Sequence, residues 1–353
     1  MKRRKIKKGI YRLTHLPGGV NFVRYFNNKI SHYSKKLSGS LEVAHPSTIM
    51  LEVTNNCNLQ CITCPREYGY GKAMDKGNME ISLLKKMVDE AWPYIDSIGL
   101  TGMGEPLLYP HLKEALTYIK KKNKGILTNI STNLMLPKAP EIIDSIKENL
   151  DTIQISIDGI GDVYNAIRKK ADYDTFIHNV KQIQKVTKGS ETDLTFNMVV
   201  VKENYHQMED LIELAAEHGF VNLTFTIFNL ASVTDVGLEY YKFYDTQEFR
   251  ETYRRAQKRA RQYPALDVFF WDIDRPGQFQ NCPFPWTHFY VAWNGEVPPC
   301  CAKPFPKELT FGSVNDEPLM EVLNKDAYKD FRKLWKANRT PDFCKKCHFV
   351  MGN

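Results

Sequence analysis

Three cysteines close together in sequence constrain this chain more than any other feature. Cys57, Cys61 and Cys64 are spaced C-x3-C-x2-C and come directly after the apolar predicted strand Thr48–Val53. Thiolates at this density suit zinc or an iron–sulfur cluster. Structural zinc takes four protein ligands, and no fourth Cys or His follows nearby, since His45 precedes the strand. We therefore favour a cubane iron–sulfur cluster held by three cysteines, with one iron left free to bind a small molecule.

The composition is that of an ordinary globular protein. The chain has 353 residues, 42% of them hydrophobic and 25% charged, which predicts one large or two modest domains. No window approaches the ~18 consecutive apolar residues of a membrane span, and no apolar signal-peptide core follows the basic N-terminus. We expect a cytoplasmic protein, where thiols stay reduced. Its 8 cysteines are then metal ligands or catalytic thiols rather than a disulfide framework.

The positive charge is concentrated at the N-terminus. Residues 1–45 carry eleven Lys and Arg against one acid, a net +10, so the rest of the chain is about −3 within the total of +7. Nucleic acid is therefore not expected as a substrate. Five apolar side chains at helical spacing predict one apolar helix face: Val23, Phe26, Ile30, Tyr33 and Leu37. This basic amphipathic helix either packs on the chain's own catalytic domain, which we favour, or makes peripheral contact with an anionic membrane surface.

Short apolar strands then alternate with amphipathic helices, which predicts parallel strands with right-handed crossovers. The six predicted strands are Thr48–Val53, Ser97–Leu100, Gly125–Thr132, Thr152–Ile157, Leu194–Val201 and Leu223–Phe228. Six units are too few for a closed eight-fold barrel, so we expect an α/β fold with a partial (β/α)6 TIM-like barrel. The predicted parts are the N-terminal extension 1–45, the barrel 46–265 and a small Cys-rich domain 266–353.

The Cys-rich domain contains Cys282, Cys300, Cys301, Cys344 and Cys347. Its segment HFYVAWNGEVPP predicts a β-hairpin around an Asn-Gly turn. A zinc ribbon with four thiolates is a serious alternative to an iron–sulfur site on this spacing alone.

The cysteine triplet after the first strand of a β/α alternation resembles the signature of the radical S-adenosylmethionine (SAM) enzymes. The resemblance implies a [4Fe–4S] cluster on Cys57, Cys61 and Cys64 whose open iron chelates the amino and carboxylate groups of SAM. An electron from a flavodoxin- or ferredoxin-type donor would then release a 5′-deoxyadenosyl radical. The segment TGMGEP is similar to the family's Gly-Gly-Glu motif, with Met103 in place of the first Gly. It implies that Gly104 lets the backbone approach the ligand and that Glu105 binds the methionyl ammonium. The alternative is a strand-end turn with a solvated Glu.

The resemblance also implies polar SAM contacts at the ends of the later strands. The residues that match are Ser131, Asn133, Ser156, Asp158 and Arg168. For the Ser, Asn and Asp residues the alternative is capping of the following helices. Asn197 is a polar residue inside an apolar run and is expected to face the barrel interior and a ligand. Thr63 departs from the family pattern, which has an aromatic near adenine at this position; Tyr68 or Tyr70 is expected to compensate.

The second cysteine group resembles the SPASM auxiliary-cluster domain in its shortened twitch form. That resemblance implies one auxiliary [4Fe–4S] cluster on Cys282, Cys300, Cys344 and Cys347, and so two [4Fe–4S] clusters in the chain. Cys301 is left over. It is a small buried residue, a hydrogen-atom donor, or the ligand in place of Cys300.

A fully ligated auxiliary cluster has no iron free for substrate, so an electron-accepting role is expected. The resemblance to the twitch and SPASM enzymes implies three reactions. We favour oxidation of a polyol or sugar-like small molecule, with Cys301-dependent epimerisation or modification of a peptide as alternatives. Residues 1–45 are shorter than the winged-helix module often fused to peptide-modifying relatives. A structural metal-binding or electron-carrier protein is the non-enzyme alternative, but the open triplet and Glu105 are not needed for electron transfer alone. The acid–base candidates are Asp272, Asp274, Arg275 and His288.

Overall fold

A computed structural model describes residues 9–228, 236–271, 273, 282, 284–345 and 347. The strands are β1 (Thr48–Leu51), β2 (Gln60–Cys61), β3 (Ser97–Gly99), β4 (Leu127–Thr132), β5 (Thr152–Ser156), β6 (Arg168–Lys169), β7 (Asp193–Val200), β8 (Asn222–Ile227), β9 (Asp267–Phe270) and β10 (His288–Val291). The helices are α1 (Val20–Leu37), α2 (Gly69–Lys72), α3 (Ile81–Ala91), α4 (Leu112–Lys122), α5 (Ala139–Ile146), α6 (Asp162–Ile167), α7 (Tyr173–Val186), α8 (Met208–Glu217), α9 (Val236–Tyr244), α10 (Gln247–Ala260), α11 (Phe284–Thr287), α12 (Leu319–Leu323) and α13 (Asp326–Lys336).

One parallel sheet organises the barrel. Its strand order is β10-β1-β3-β4-β5-β7-β8-β9, and every neighbouring pair is parallel. All six predicted strands form and lie side by side in chain order, which confirms the partial barrel. Two further strands, β9 and β10, extend the sheet to eight. Both come from the region assigned to the Cys-rich domain, so that domain shares the sheet with the barrel.

The turn of the predicted hairpin forms, but its two arms pair mainly with other segments. The Asn-Gly turn forms, with the Ala292 N–H donating to the Glu296 carbonyl at 2.8 Å and Gly295 at a φ of +86°. The first arm is β10, which pairs with β1 from Thr48 opposite His288 onward. The second arm pairs elsewhere, since the Val297 N–H donates to the Gly312 carbonyl at 2.9 Å.

The core lies between the sheet and the helices that cover it. In α7 the side chains of Phe176, Val180 and Ile183 recur at helical spacing and are fully buried. The Asp172 side chain caps this helix by accepting from the Thr175 N–H at 2.8 Å. Burying one such apolar side chain contributes about 1.5–3 kcal/mol, so the helix is held by its inner face rather than by propensity.

Helix α1 packs on the catalytic domain as predicted, but through its polar face. The Asn28 side chain donates to the His45 carbonyl at 2.9 Å, and Lys29 pairs with Asp96 at 2.7 Å. The apolar stripe from Val23 to Leu37 is exposed, whereas an amphipathic helix usually buries that side. Among the described residues, no helix combines the length and apolarity that crossing a membrane requires.

Candidate active site at the carboxyl ends of the strands

The cysteine triplet lies on the loop that follows β1. A short antiparallel ribbon fixes this loop, because β2 pairs with β6 and places Cys61 opposite Arg168. The Arg168 Nη1 is 3.9 Å from the Cys61 sulfur. Burial raises the pKa of Cys61 to about 11 and that of Cys64 to about 12. Thiols held neutral in this way are poor free nucleophiles, and a bound metal is what ionises them. The group therefore suits metal ligation.

The TGMGEP loop after β3 packs directly against the residues that precede Cys57. A Cβ on Gly104 would lie 2.4 Å from the Thr54 carbonyl oxygen and 2.6 Å from that of Asn56. The Glu105 N–H donates to the Asn56 carbonyl at 2.8 Å. Gly104 is thus required by contact with the cysteine loop, a reason that the sequence did not reveal. Its predicted approach to a ligand stays a prediction.

Glu105 is buried, with 2% of its surface exposed, so the alternative of a solvated turn residue is wrong. Its carboxylate accepts from the Thr132 hydroxyl and the Asn133 N–H, both at 2.7 Å, and from the Leu107 N–H at 3.1 Å. These bonds tie the loop to the end of β4. Burial, opposed by the hydrogen bonds, raises the pKa of Glu105 to about 7. An adjacent ammonium would favour the ionised form, which fits the predicted contact.

Asp158 and Arg168 form a buried ion pair beside the triplet. The Arg168 Nη2 lies 2.9 Å from Asp158 Oδ2, and Asp158 Oδ1 accepts from the Val199 N–H at 2.9 Å. The Thr63 hydroxyl lies 3.4 Å from the same Asp158 carboxylate. In the same loop, the Tyr68 hydroxyl donates to the Ile62 carbonyl at 2.8 Å. The Arg168 Nε is buried and has no hydrogen-bond partner in the described part of the chain. An orphaned buried donor beside the cysteines fits an anionic ligand group such as the SAM carboxylate.

Three polar side chains stand side by side on adjacent strands. The Ser131 and Ser156 hydroxyls are 3.5 Å apart, and Asn197 is in register with Ser156 on the next strand. All three are partly exposed. Asn133 lies nearer the triplet, with its amide nitrogen 3.7 Å from the Cys57 sulfur. None of the predicted residues here caps the next helix, because the N-cap positions of α5 and α6 are Lys138 and Gly161. The capping alternative is therefore wrong.

Sequence reasoning missed Glu52. This residue is 1% exposed, and its carboxylate accepts from the Met103 N–H at 2.8 Å and the Tyr290 hydroxyl at 2.7 Å. It joins the end of β1 to the TGMGEP loop and to β10. A Cβ on Gly102 would lie 2.3 Å from the Glu52 Cγ, so this loop is moulded around it. The signal was available, because Glu52 is the single charged residue in the apolar run TIMLEV.

Four of the five C-terminal cysteines line one cavity with apolar walls. They are Cys282, Cys300, Cys344 and Cys347, and the walls include Phe331, Trp335 and Phe343. Cys301 does not line it and lies near Tyr290. The Lys303 Nζ sits 4.2 Å from the Phe343 ring centre at the cavity edge. Burial raises the pKa of Cys282 to about 12, with the neighbouring Cys300 thiol adding to it. Four thiols, apolar walls and one buried cation suit an iron–sulfur cluster.

The structure supports none of the predicted acid–base residues that it describes. Asp272, Asp274 and Arg275 lie outside the described residues. His288 is the first residue of β10 and pairs with Thr48, the first residue of β1. It therefore stands at the amino ends of the strands, opposite the cysteine triplet, and is excluded as an acid or base for this site.

Two family models match the two cysteine regions. Residues 51–215 match the radical SAM superfamily, and residues 282–348 match SPASM, described as an iron–sulfur cluster-binding domain. The chain belongs to the radical SAM superfamily and is a radical SAM enzyme with a C-terminal SPASM domain. Its cofactors are SAM, the [4Fe–4S] cluster of the barrel and auxiliary iron–sulfur binding in residues 282–348. A match to an iron–sulfur domain does not fit the zinc ribbon alternative. Of the described residues, no three His, Cys, Asp or Glu side chains stand close enough to hold one metal ion; in a cubane each thiolate binds a different iron.

Similarity to known proteins extends over most of the chain. It is 24% identical over 326 residues to the antilisterial bacteriocin subtilosin biosynthesis protein AlbA of Bacillus subtilis, covering 91% of this chain and 68% of that protein. It is 25% identical over 329 residues to the tungsten-containing aldehyde ferredoxin oxidoreductase cofactor-modifying protein of Pyrococcus furiosus, covering 85% and 86%. The structure of Streptococcus suis SuiB bound to SAM superposes with a TM-score of 0.69 at 18% identity, covering 99% of this chain and 81% of SuiB. This structural likeness shows the shared fold.

Proposed function

We propose that the chain oxidises its substrate by removing a hydrogen atom from an unactivated C–H bond, after which the substrate radical loses a proton to water and one electron. One auxiliary [4Fe–4S] cluster would be the acceptor of that electron. When bound, the cofactors at the triplet supply a 5′-deoxyadenosyl radical. An external flavodoxin- or ferredoxin-type donor is part of the proposal, because each reductive cleavage of SAM needs one electron.

The residues around the triplet have distinct binding roles in this proposal. Arg168, oriented by Asp158, uses its free Nε to pair with the methionyl carboxylate. Glu105 binds the ammonium from the other side, and Gly104 keeps the loop against the cysteines. Ser131, Ser156 and Asn197 face the ribose. Each contact places a polar group of the chain against a complementary group of SAM.

The observation that carries the oxidative role is the arrangement of the C-terminal cysteines. Cys282, Cys300, Cys344 and Cys347 share one cavity and Cys301 lies outside it. Four thiols saturate a cubane cluster, so no iron is left to bind substrate. The proposed number of auxiliary clusters, one, follows from the same four residues.

The preferred substrate remains a polyol or sugar-like small molecule. A peptide is the second candidate, because the Bacillus subtilis relative is named for bacteriocin biosynthesis and a PqqA peptide cyclase is 25% identical over 178 residues. Epimerisation with Cys301 as hydrogen donor is the third.

The test is a product analysis. Reduced, reconstituted protein is incubated anaerobically with SAM and with separate pools of polyols and of short peptides. Loss of two hydrogens from a pool member, matched by 5′-deoxyadenosine, supports oxidation and identifies the substrate class. A product of unchanged composition that acquires deuterium on carbon in heavy water would assign the epimerase role instead.

A further inference from the structure

Helix α1 is fastened to the barrel by its polar side. The Tyr25 hydroxyl donates to Asp96 at 2.7 Å, Lys29 pairs with the same carboxylate, and Asn28 donates to the His45 carbonyl. A ring nitrogen of His32 lies 2.6 Å from the same carbonyl oxygen. The helix is therefore an integrated part of the fold, and the orientation of its other side is set by these contacts.

The opposite side of α1 is a continuous apolar surface open to solvent. We call it the α1 stripe, and its exposed fractions are Val20 66%, Phe22 43%, Val23 53%, Phe26 45%, Ile30 64%, Tyr33 66% and Leu37 71%. The rings of Phe22 and Phe26 touch, with centres 4.7 Å apart. Exposed apolar patches of this kind mark interaction surfaces. The helical segment of residues 9–14, which precedes α1, also exposes Ile10 and Leu13, at 55% and 69%.

Basic residues flank the stripe. Of the five Lys and Arg within residues 9–45, Arg12 and Lys29 pair with Asp96, and Lys35 pairs with Glu42, the single acid of that range. Arg24 and Lys36, on either flank of the stripe, make no ion pair with any carboxylate that the structure describes. The surface is thus apolar along its centre and cationic along its edges.

We propose that the α1 stripe binds the surface of an anionic lipid bilayer. A bilayer has negative headgroups above an apolar interior, so it satisfies both features at once. A single convex helix lies flat on such a surface, with its apolar side chains in the headgroup boundary and its basic flanks at the phosphates. A second copy of the chain would instead cover the stripe with another apolar face, and this becomes one outcome of the test.

The attachment point of α1 sets the orientation on the membrane. Its contacts, His45 and Asp96, precede β1 and β3, so the helix lies where strands begin. The cysteine triplet and Glu105 follow the ends of the same strands. Docking through the stripe therefore leaves the active site facing away from the bilayer, and basal SAM cleavage does not depend on it.

The test uses the full-length reconstituted enzyme and sedimentation with vesicles of phosphatidylcholine, with or without phosphatidylglycerol. We expect binding at least tenfold stronger to the vesicles that contain phosphatidylglycerol, and weaker binding at high salt. The triple variant Val23→Ser, Phe26→Ser, Ile30→Ser should lose at least tenfold of that affinity. Phe269→Ser is the matched control, because Phe269 is 55% exposed but lies on β9, and it should bind as the parent does.

Each contrary result overturns the proposal. Failure of the parent to sediment with phosphatidylglycerol vesicles would do so, as would a triple variant that binds them equally well. A parent that is dimeric without vesicles and a triple variant that is monomeric would assign the stripe to a second copy of the chain. Unchanged circular dichroism, iron content and basal SAM cleavage in the variant show that the fold is intact.

Discussion

Both cysteine groups bind an iron–sulfur cluster, but the side chains around them differ in polarity. Cys57, Cys61 and Cys64 come from one loop, and charged or polar side chains such as Arg168 and Asn133 stand beside their sulfurs. The second group collects its members from three distant segments into a cavity with aromatic walls. An open site must hold a polar fourth partner, so it needs polar neighbours. A closed site needs only to exclude water and competing ligands.

This difference also explains why the groups are built differently. Three ligands on one loop leave the remaining side of the site to other strands, whose ends supply Glu105, Ser156 and Asp158. Four ligands from separated segments leave no such side. They also tie those segments together, so that metal binding contributes to the stability of the region.

The largest expected effect follows from emptying the open group. Replacing Cys57, Cys61 and Cys64 by Ala should lower SAM cleavage by at least ~1,000-fold and reduce bound iron from about eight to about four atoms per chain, because each [4Fe–4S] cluster carries four. Iron, sulfide and 5′-deoxyadenosine are measured after anaerobic reconstitution. Stoichiometric zinc in residues 282–348 under iron-replete conditions would break the comparison.

Two adjacent cysteines, one inside the closed group and one outside it, provide a matched pair. Cys300→Ala should remove the auxiliary cluster and about four irons, whereas Cys301→Ala should keep the iron and cost only about 1 kcal/mol of stability. Iron analysis and thermal unfolding of the two variants are compared. If Cys301→Ala loses the cluster instead, the ligand assignment is reversed and the hydrogen-donor alternative falls with it.

A smaller effect is expected at the edge of the open group. Glu105→Gln keeps the side-chain shape but removes the charge, and should weaken SAM binding by about 2 kcal/mol, roughly 30-fold. Calorimetry of the reconstituted protein measures this, with the exposed Glu114→Gln on α4 as the control. Equal affinity in both variants would place the ammonium site elsewhere.

The smallest expected effect is on the pH dependence of stability, at a histidine that lies outside both cysteine groups. Burial lowers the pKa of His45, which stacks on Tyr94 at 3.7 Å, to about 4, with the charge of His32 adding to it. The folded state keeps His45 neutral while the unfolded chain protonates near 6.5. Linkage over the pH range from 6.5 to 4 gives a full loss of about 2.5 kcal/mol of stability, and because the His45 ring is partly exposed to solvent we expect about 1 kcal/mol. Urea unfolding across this window checks it. His45→Phe should flatten the slope, and an unchanged slope would assign the pH response to other groups.

Much of the molecule could be predicted because its signals are local. Apolar runs of strand length located all six central strands, and the spacing of Cys57, Cys61 and Cys64 located the open group. The sequence also predicted the Cys-x2-Cys pair at 344 and 347 and the Asn-Gly turn. These features depend on neighbouring residues, so they survive in any arrangement of the rest of the chain.

The tertiary structure alone decided which distant residues meet. Periodicity identified the apolar face of α1, but the hydrogen bonds to Asp96 and His45 determined that this face is turned outward. A turn propensity identified Asn294 and Gly295, but pairing with β1 made the preceding strand an edge of the barrel. Glu52 was visible as an acid in an apolar run, yet its partners lie 51 and 238 residues away. Spacing along a chain limits only local geometry, whereas burial and long-range hydrogen bonding are settled by the whole fold.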